Sequence, residues 1–127
     1  MTGERFLLDS HVLIWLDTGN TRLSPDMLTR LRQGNQRLLS AATAWELGLK
    51  QAAGKLRLKM PVSSMLHTFG LLELPVSIRH AECAVKLPPH HRDPFDRLLL
   101  AQAHLEGLIL VSADRKLAEY GIPILMV

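Results

Sequence analysis

Asp93-Pro94-Phe95-Asp96-Arg97-Leu98-Leu99-Leu100-Ala101-Gln102-Ala103 puts two carboxylates at the head of an otherwise apolar helix. Asp93 suits a helix N-cap, Pro94 suits the first helical position, where no N–H is needed, and Asp96 falls at the third. From Leu98 onward the run is too apolar for a surface helix. It is therefore predicted to be buried, with Asp96 held at the rim of the core, where a carboxylate needs a partner. Three other acids occupy comparable points: Asp9 after the apolar run Phe6 to Leu8, Glu46 inside Ala44-Trp45-Glu46-Leu47, and Asp114 just after Leu108 to Val111.

Around these acids the chain alternates strand-like and helix-like stretches. Arg5 to Leu8 reads as a short buried strand and Asp9-Ser10 as the start of a helix running through Leu16. Ser24-Pro25 opens a second helix that Gly34-Asn35 stops. Arg37 to Ser40 is a candidate second strand, followed by Thr43-Ala44-Trp45-Glu46, whose spacing fits a capping box for a helix ending near Gly54. Lys55 to Met60 alternates basic and apolar residues, which suggests an extended edge or basic rim. A helix is expected over Val62 to Gly70, a third strand over Leu71 to Pro75, and a helix over Ile78 to Lys86 behind Ser77. Pro88-Pro89-His90-His91-Arg92 reads as a rigid, solvated basic loop. Beyond the buried helix, Gly107 is its stop, Leu108 to Val111 a fourth strand, Ala113 to Tyr120 a short helix and Ile122 to Val127 a last strand.

This alternation predicts an α/β fold, a three-layer sandwich with a central parallel sheet, in one domain over residues 1–127. In such open sheets the binding site lies beyond the carboxyl ends of the strands. Asp9 and Asp114 would both sit at that edge, and the helix bearing Asp96 can approach it by its N-terminus.

Composition narrows the class. Of the 127 residues, 47% are hydrophobic and 21% charged, which excludes a disordered chain. One cysteine, Cys83, excludes a disulfide scaffold and reads as a half-buried thiol. No signal peptide or membrane-spanning run is expected, which places the protein in the cytoplasm. The formal charge of +3 suits a polyanionic partner, while the acids beside apolar segments call for cations.

Each acid also has a structural explanation. Asp9 could cap the first helix, Glu46 could be half of a capping box, and Asp93 or Asp96 could complement a helix dipole. Together they are harder to explain, since four caps have no reason to gather at one sheet edge. Clustered carboxylates repel and raise one another's pKa unless a cation neutralises them. Oxygen-only ligation suits Mg2+ or Mn2+ rather than zinc. The usual chemistry of such a centre is phosphodiester hydrolysis by a metal-activated water. Arg92, Arg97, Lys50, Arg115, Lys55 and Lys116 stand near the acids in sequence and are candidates to grip a nucleic-acid backbone.

Leu7-Leu8-Asp9-Ser10-His11-Val12-Leu13-Ile14-Trp15, Ala44-Trp45-Glu46-Leu47, the Asp93 to Ala103 stretch and Ser112-Ala113-Asp114 resemble the PIN-domain toxins called VapC, in order along nearly the whole chain. The resemblance implies a metal-dependent ribonuclease, the toxin of a type II toxin–antitoxin pair, with RNA as substrate, a VapB-like antitoxin as partner and a homodimer as the common assembly. Carried over position by position, the family's acidic constellation falls on Asp9, Glu46, Asp96 and Asp114. Ser112 stands where a threonine or serine is usual, and Asp93 is a supporting position.

Other classes make different demands. An aspartate-based phosphatase would want a second Asp two residues after Asp9, where His11 stands. A PIN-type RNA-processing nuclease without antitoxin would use the same acids. In a non-catalytic binding module the acids would only stabilise helix starts.

Overall fold

Strands and helices alternate around a five-stranded sheet in the computed structural model, which describes residues 2–127. The strands are β1 (Arg5–Leu8), β2 (Gln36–Ser40), β3 (Leu72–Leu74), β4 (Ile109–Ser112) and β5 (Ile124–Met126), in the order β3-β2-β1-β4-β5. Every neighbouring pair is parallel, with Leu7 opposite Leu38 on one side and Leu110 on the other. Such sheets bury both faces. In β1, Phe6 and Leu8 point into one core and Leu7 into the other, following the pleat.

The first core is covered by α1 (Ser10–Thr18), α2 (Pro25–Gln33), α3 (Ala41–Ala52) and α4 (Val62–Thr68), which contribute Val12, Leu31, Leu47 and Met65. The second is covered by α6 (Pro94–Glu106), through Leu99, Leu100 and Ala103, with α5 (Ile78–Lys86) packed against α6. As predicted, Asp93 caps α6: its Oδ1 accepts from the N–H groups of Phe95 at 2.8 Å and Asp96 at 3.1 Å. Gly107 ends the helix at φ 67°, a left-handed conformation that costs glycine little. At Gly34, after α2, space is decisive, because an added Cβ would lie 2.6 Å from the Phe6 ring.

Three local expectations are corrected. The capping box at Thr43 does not form: α3 starts three residues earlier, capped by Ser40 Oγ, which accepts from Ala42 N–H at 3.1 Å. Thr43 and Glu46 are thereby drawn inside the helix and buried. Lys55 to Met60 forms no extended edge strand and is a basic rim, with Lys55, Arg57 and Lys59 exposed. Its alternation instead packs Leu56, Leu58 and Met60 against the first core, and Lys59 N–H donates to Asp17 Oδ2 at 2.8 Å. The expected helix after β4 is a 3-10 turn, Arg115–Tyr120, capped by Asp114. Among the described residues no helix is long and apolar enough to cross a membrane.

Candidate active site

The chain runs outward from β1 through β2 to β3 and then returns to lay β4 and β5 on the other flank of β1. Between β1 and β4 the strand order reverses, and open α/β sheets bind their ligands beyond the carboxyl ends of the strands at such a point. Asp9 directly follows β1, Asp114 follows β4 by two residues, and the N-terminus of α6 brings Asp96 to the same edge.

Asp9 is 4% exposed and caps α1, its Oδ1 accepting from Val12 N–H at 3.0 Å. Burial pushes its carboxyl above the usual range; hydrogen bonds from the Ser112 hydroxyl and Val12 N–H oppose the rise, and Glu46 adds to it. Glu46, on α3, is 7% exposed. Its Oε2 accepts from Lys50 Nζ at 3.0 Å, one turn along, and its Oε1 is buried without a partner. A buried, unpartnered carboxylate oxygen is costly, and it is the sort of atom a cation would engage.

Asp96 carries the largest displacement. Its carboxyl is pushed from 3.8 up to about 7, first by burial, then by Asp93, with smaller contributions from Asp9 and Glu46 and an opposing one from His91. Asp9, Glu46 and Asp96 therefore share one field of negative charge. Burial also pushes Asp114 upward, but the Lys116 N–H and His91 outweigh it and hold that carboxyl below its ordinary range. Asp114 is tied to the same end of the sheet: its N–H donates to Ser112 Oγ at 3.0 Å, and the Ser112 hydroxyl acts on the Asp9 carboxyl.

His91 corrects the expectation of a solvated loop. Its side chain is only 15% exposed, and its Nε2 lies 3.1 Å from Asp96 Oδ2 and 3.0 Å from Asp114 Oδ2. His90 does remain outside, against Glu119 and the Tyr120 ring. Nothing in a His-His dipeptide distinguishes the inward residue from the outward one, so local pattern could not have found it. The signal was positional, two residues before the α6 cap.

Among the basic candidates the placements diverge. Arg97 is not available to a backbone phosphate: its guanidinium donates to the carbonyls of Ala84, Leu87, Pro88 and His91 at 2.7–3.2 Å, binding the end of α5 and the following loop to α6. Lys50 is engaged with Glu46. Arg92 and Arg115 are exposed beside His91 and Asp114. Next to the acids, Trp45 is 66% exposed and stacks edge-on against Phe95, with ring centroids 5.6 Å apart.

The donor set is dominated by carboxylate oxygens, one of them orphaned and two displaced upward, which fits a hard divalent cation. His91, Asp96 and Asp114 also bring one potential ligand atom each within 4.8 Å of one another.

Comparison with known proteins gives the family and the fold. The PIN domain family matches residues 6–123. Ribonuclease VapC22 of Mycobacterium tuberculosis (strain ATCC 25618 / H37Rv) is 32% identical over 120 residues, covering 92% of each chain. Similar folds occur in VapBC2 from Rickettsia felis bound to a DNA fragment from their promoter (TM-score 0.72, 16% identity, 96% of this chain and 98% of that one). Another is the DNA-bound VapBC from Salmonella typhimurium (TM-score 0.65, 20% identity, 97% and 98%).

Proposed function

The chain belongs to the PIN-domain family, and on that footing we propose that it is a metal-dependent endoribonuclease, the toxin of a type II toxin–antitoxin pair. The observation that carries the proposal is the shared electrostatics of Asp9, Glu46 and Asp96, with an unpartnered Glu46 oxygen and an Asp96 carboxyl displaced to about 7. This is the electrostatic signature of a site built for a cation.

Asp9, Glu46, Asp96 and Asp114 would hold Mg2+ or Mn2+. Bound there, the cation supplies a water of lowered pKa and offsets charge building on the scissile phosphate. The chain's own residues provide the rest. The Val12 N–H fixes Asp9, the Asp93 cap fixes the start of α6, and Lys50 orients one Glu46 oxygen while leaving the other without a partner. Asp96, holding a proton up to about neutral pH in the metal-free chain, releases it when a cation binds, so occupancy rises with pH. Arg92 and Arg115 at the rim meet the RNA backbone.

Two apolar surfaces suit the partners expected of such a toxin. The groove between α1, α2 and α4, lined by Trp15, Leu16, Leu28 and Phe69 with Arg32 at its edge, would seat a segment of a VapB-like antitoxin. The exposed Trp45, Leu49, Val76 and Ile78 would be covered in a homodimer.

The test is cleavage of a mixed cellular RNA pool by the purified protein with Mg2+ or Mn2+, with chelator, and with Asp96→Asn in parallel. Metal-dependent cleavage that disappears in both controls is expected. Cleavage that persists in chelator or in Asp96→Asn would remove the acids from the chemistry.

A further inference from the structure

We infer that His91 is a positioning residue of the acidic cluster: a fixed hydrogen-bond donor to Asp114 whose ring also stands against Asp96, setting the two acids for the cation without being a ligand itself. The inference rests on the cation reading above. It starts from the loop between α5 and α6, which is unusually well tied down for a segment of its composition. Tyr120 Oη accepts the backbone N–H of His91 at 2.8 Å and donates to Pro88 O at 2.8 Å. Arg97 donates to the carbonyls of Pro88 and His91 from the other side. Both restraints act on the backbone that carries His91.

The ring is then fixed by a third contact. Asp93 N–H donates to His91 Nδ1 at 3.1 Å. A backbone amide can only donate here, so Nδ1 is an acceptor and the ring hydrogen resides on Nε2. That atom faces the Oδ2 atoms of Asp96 and Asp114 at 3.1 and 3.0 Å. A metal ligand would need its lone pair on Nε2 and its hydrogen on Nδ1, where it would oppose the Asp93 N–H. Proximity alone groups His91 with the two acids as a possible ligand set; the direction of the Asp93 hydrogen bond argues against it.

The consequence is a division of labour among the carboxylate oxygens. The N–H of His91 donates to Asp114, after β4, while Asp96, on α6, lies 3.1 Å from the same nitrogen, so one ring meets acids on two elements that no strand pairing connects. It fixes Asp114 Oδ2 by a hydrogen bond and stands against Asp96 Oδ2, so the second oxygens of both acids arrive in a set orientation. Partners of this kind typically change metal affinity or activity by about 10–100-fold when lost.

Two substitutions separate the halves of the ring. His91→Asn keeps an acceptor for Asp93 N–H but loses the donor to Asp114; His91→Gln keeps a donor of similar reach. Calorimetric titration of Mn2+ into each folded protein is expected to show about a 10-fold or greater loss in His91→Asn and retention within about threefold in His91→Gln. Long-range 1H–15N NMR of the metal-free parent is expected to show the hydrogen on Nε2. Equal, strong losses in both variants, or a hydrogen on Nδ1, would make His91 a ligand and overturn the inference. Unchanged affinity in both would reduce it to a structural residue and also overturn it, leaving the cation reading intact. A parent that binds no Mn2+ would overturn that reading and this inference with it.

Discussion

His80 and His91 are built alike at the level of the ring. In each, Nδ1 accepts a backbone N–H, from Ser77 at 3.0 Å and from Asp93 at 3.1 Å, and Nε2 points at carboxylate oxygen. Their surroundings differ. His80 lies between α5 and α6, 5% exposed, where its Nδ1 also receives the amide of Gln102 and its Nε2 meets the single carboxylate of Glu106 at 3.4 Å. His91 meets two carboxylates carried by different elements at the carboxyl edge of the sheet. The first ring completes the capping box of α5 and fills a packed helix interface; the second faces the acidic cluster. A buried histidine with a carboxylate partner is therefore no sign of function until its place in the fold is known.

The largest break in the symmetry should come from the carboxylate side. Asp96→Asn is expected to lower RNA cleavage at saturating Mg2+ by at least about 100-fold, since a ligand and a charge are both lost. Glu106→Gln, the corresponding change beside His80, should leave cleavage within about twofold. Rates measured on matched amounts of folded protein check both. Comparable losses would mean that the two networks act as one.

His80 should respond in stability instead. His80→Ala leaves the Ser77 N–H without an acceptor, leaves the Gln102 amide with Pro75 O alone and opens space between two helices, an expected cost of about 2–3 kcal/mol. For a chain of 127 residues that is a fall in Tm of roughly 6–12 °C, with cleavage per folded molecule unchanged. An unaltered Tm would show the network to be dispensable.

How much of this was legible in the sequence follows the range of the interactions. The buried helix α6, its Asp93 cap, Pro94 and the Gly107 stop are local devices, and each stands where residue type and spacing put it. The sheet and its parallel sense follow from alternation of short apolar runs with helices. Asp9, Asp96 and Asp114 were identifiable because they sit one or two residues from an element boundary. The start of α3 was misplaced because Ser40 and Thr43 are both acceptable caps, and burial of Thr43 against the core decided between them. His91 and Arg97 were misjudged because their partners lie on other elements: Tyr120 and Asp114 for the one, the end of α5 for the other. Charge and spacing suggest a solvated loop and an RNA contact, while the fold uses both residues for internal order.

A smaller effect follows from the Asp96 carboxyl. Its folded value, about 7, lies above the ordinary 3.8, so between those limits the folded metal-free chain binds more protons than the unfolded chain. Stability from this group is therefore present at low pH and is lost as pH rises toward 7. The upper bound is about 4 kcal/mol; solvent at the acidic cluster reduces it to about 1–2 kcal/mol. Urea melts of the metal-free protein at pH 5 and pH 7.5 should show this fall, and Asp96→Asn should flatten it.

The smallest effect is expected at the rim, where Arg115 and Arg97 repeat the contrast between the histidines in another residue type. Arg115 is exposed beside Asp114, so its contribution to RNA binding is a screened charge on a flexible stem. Arg115→Ala should raise KM by about two- to threefold at low salt, leave kcat unchanged, and become indistinguishable from the parent near 0.5 M salt, where screening extends only a few ångströms, by roughly the same argument that weakens any single phosphate contact. Arg97 is engaged by backbone carbonyls on every side. Its loss should loosen the loop that carries His91, and the defect should appear in kcat and persist at high salt, because no screened charge is involved. A salt-sensitive KM effect at Arg97, or a salt-insensitive kcat effect at Arg115, would reverse the assignment of the two arginines.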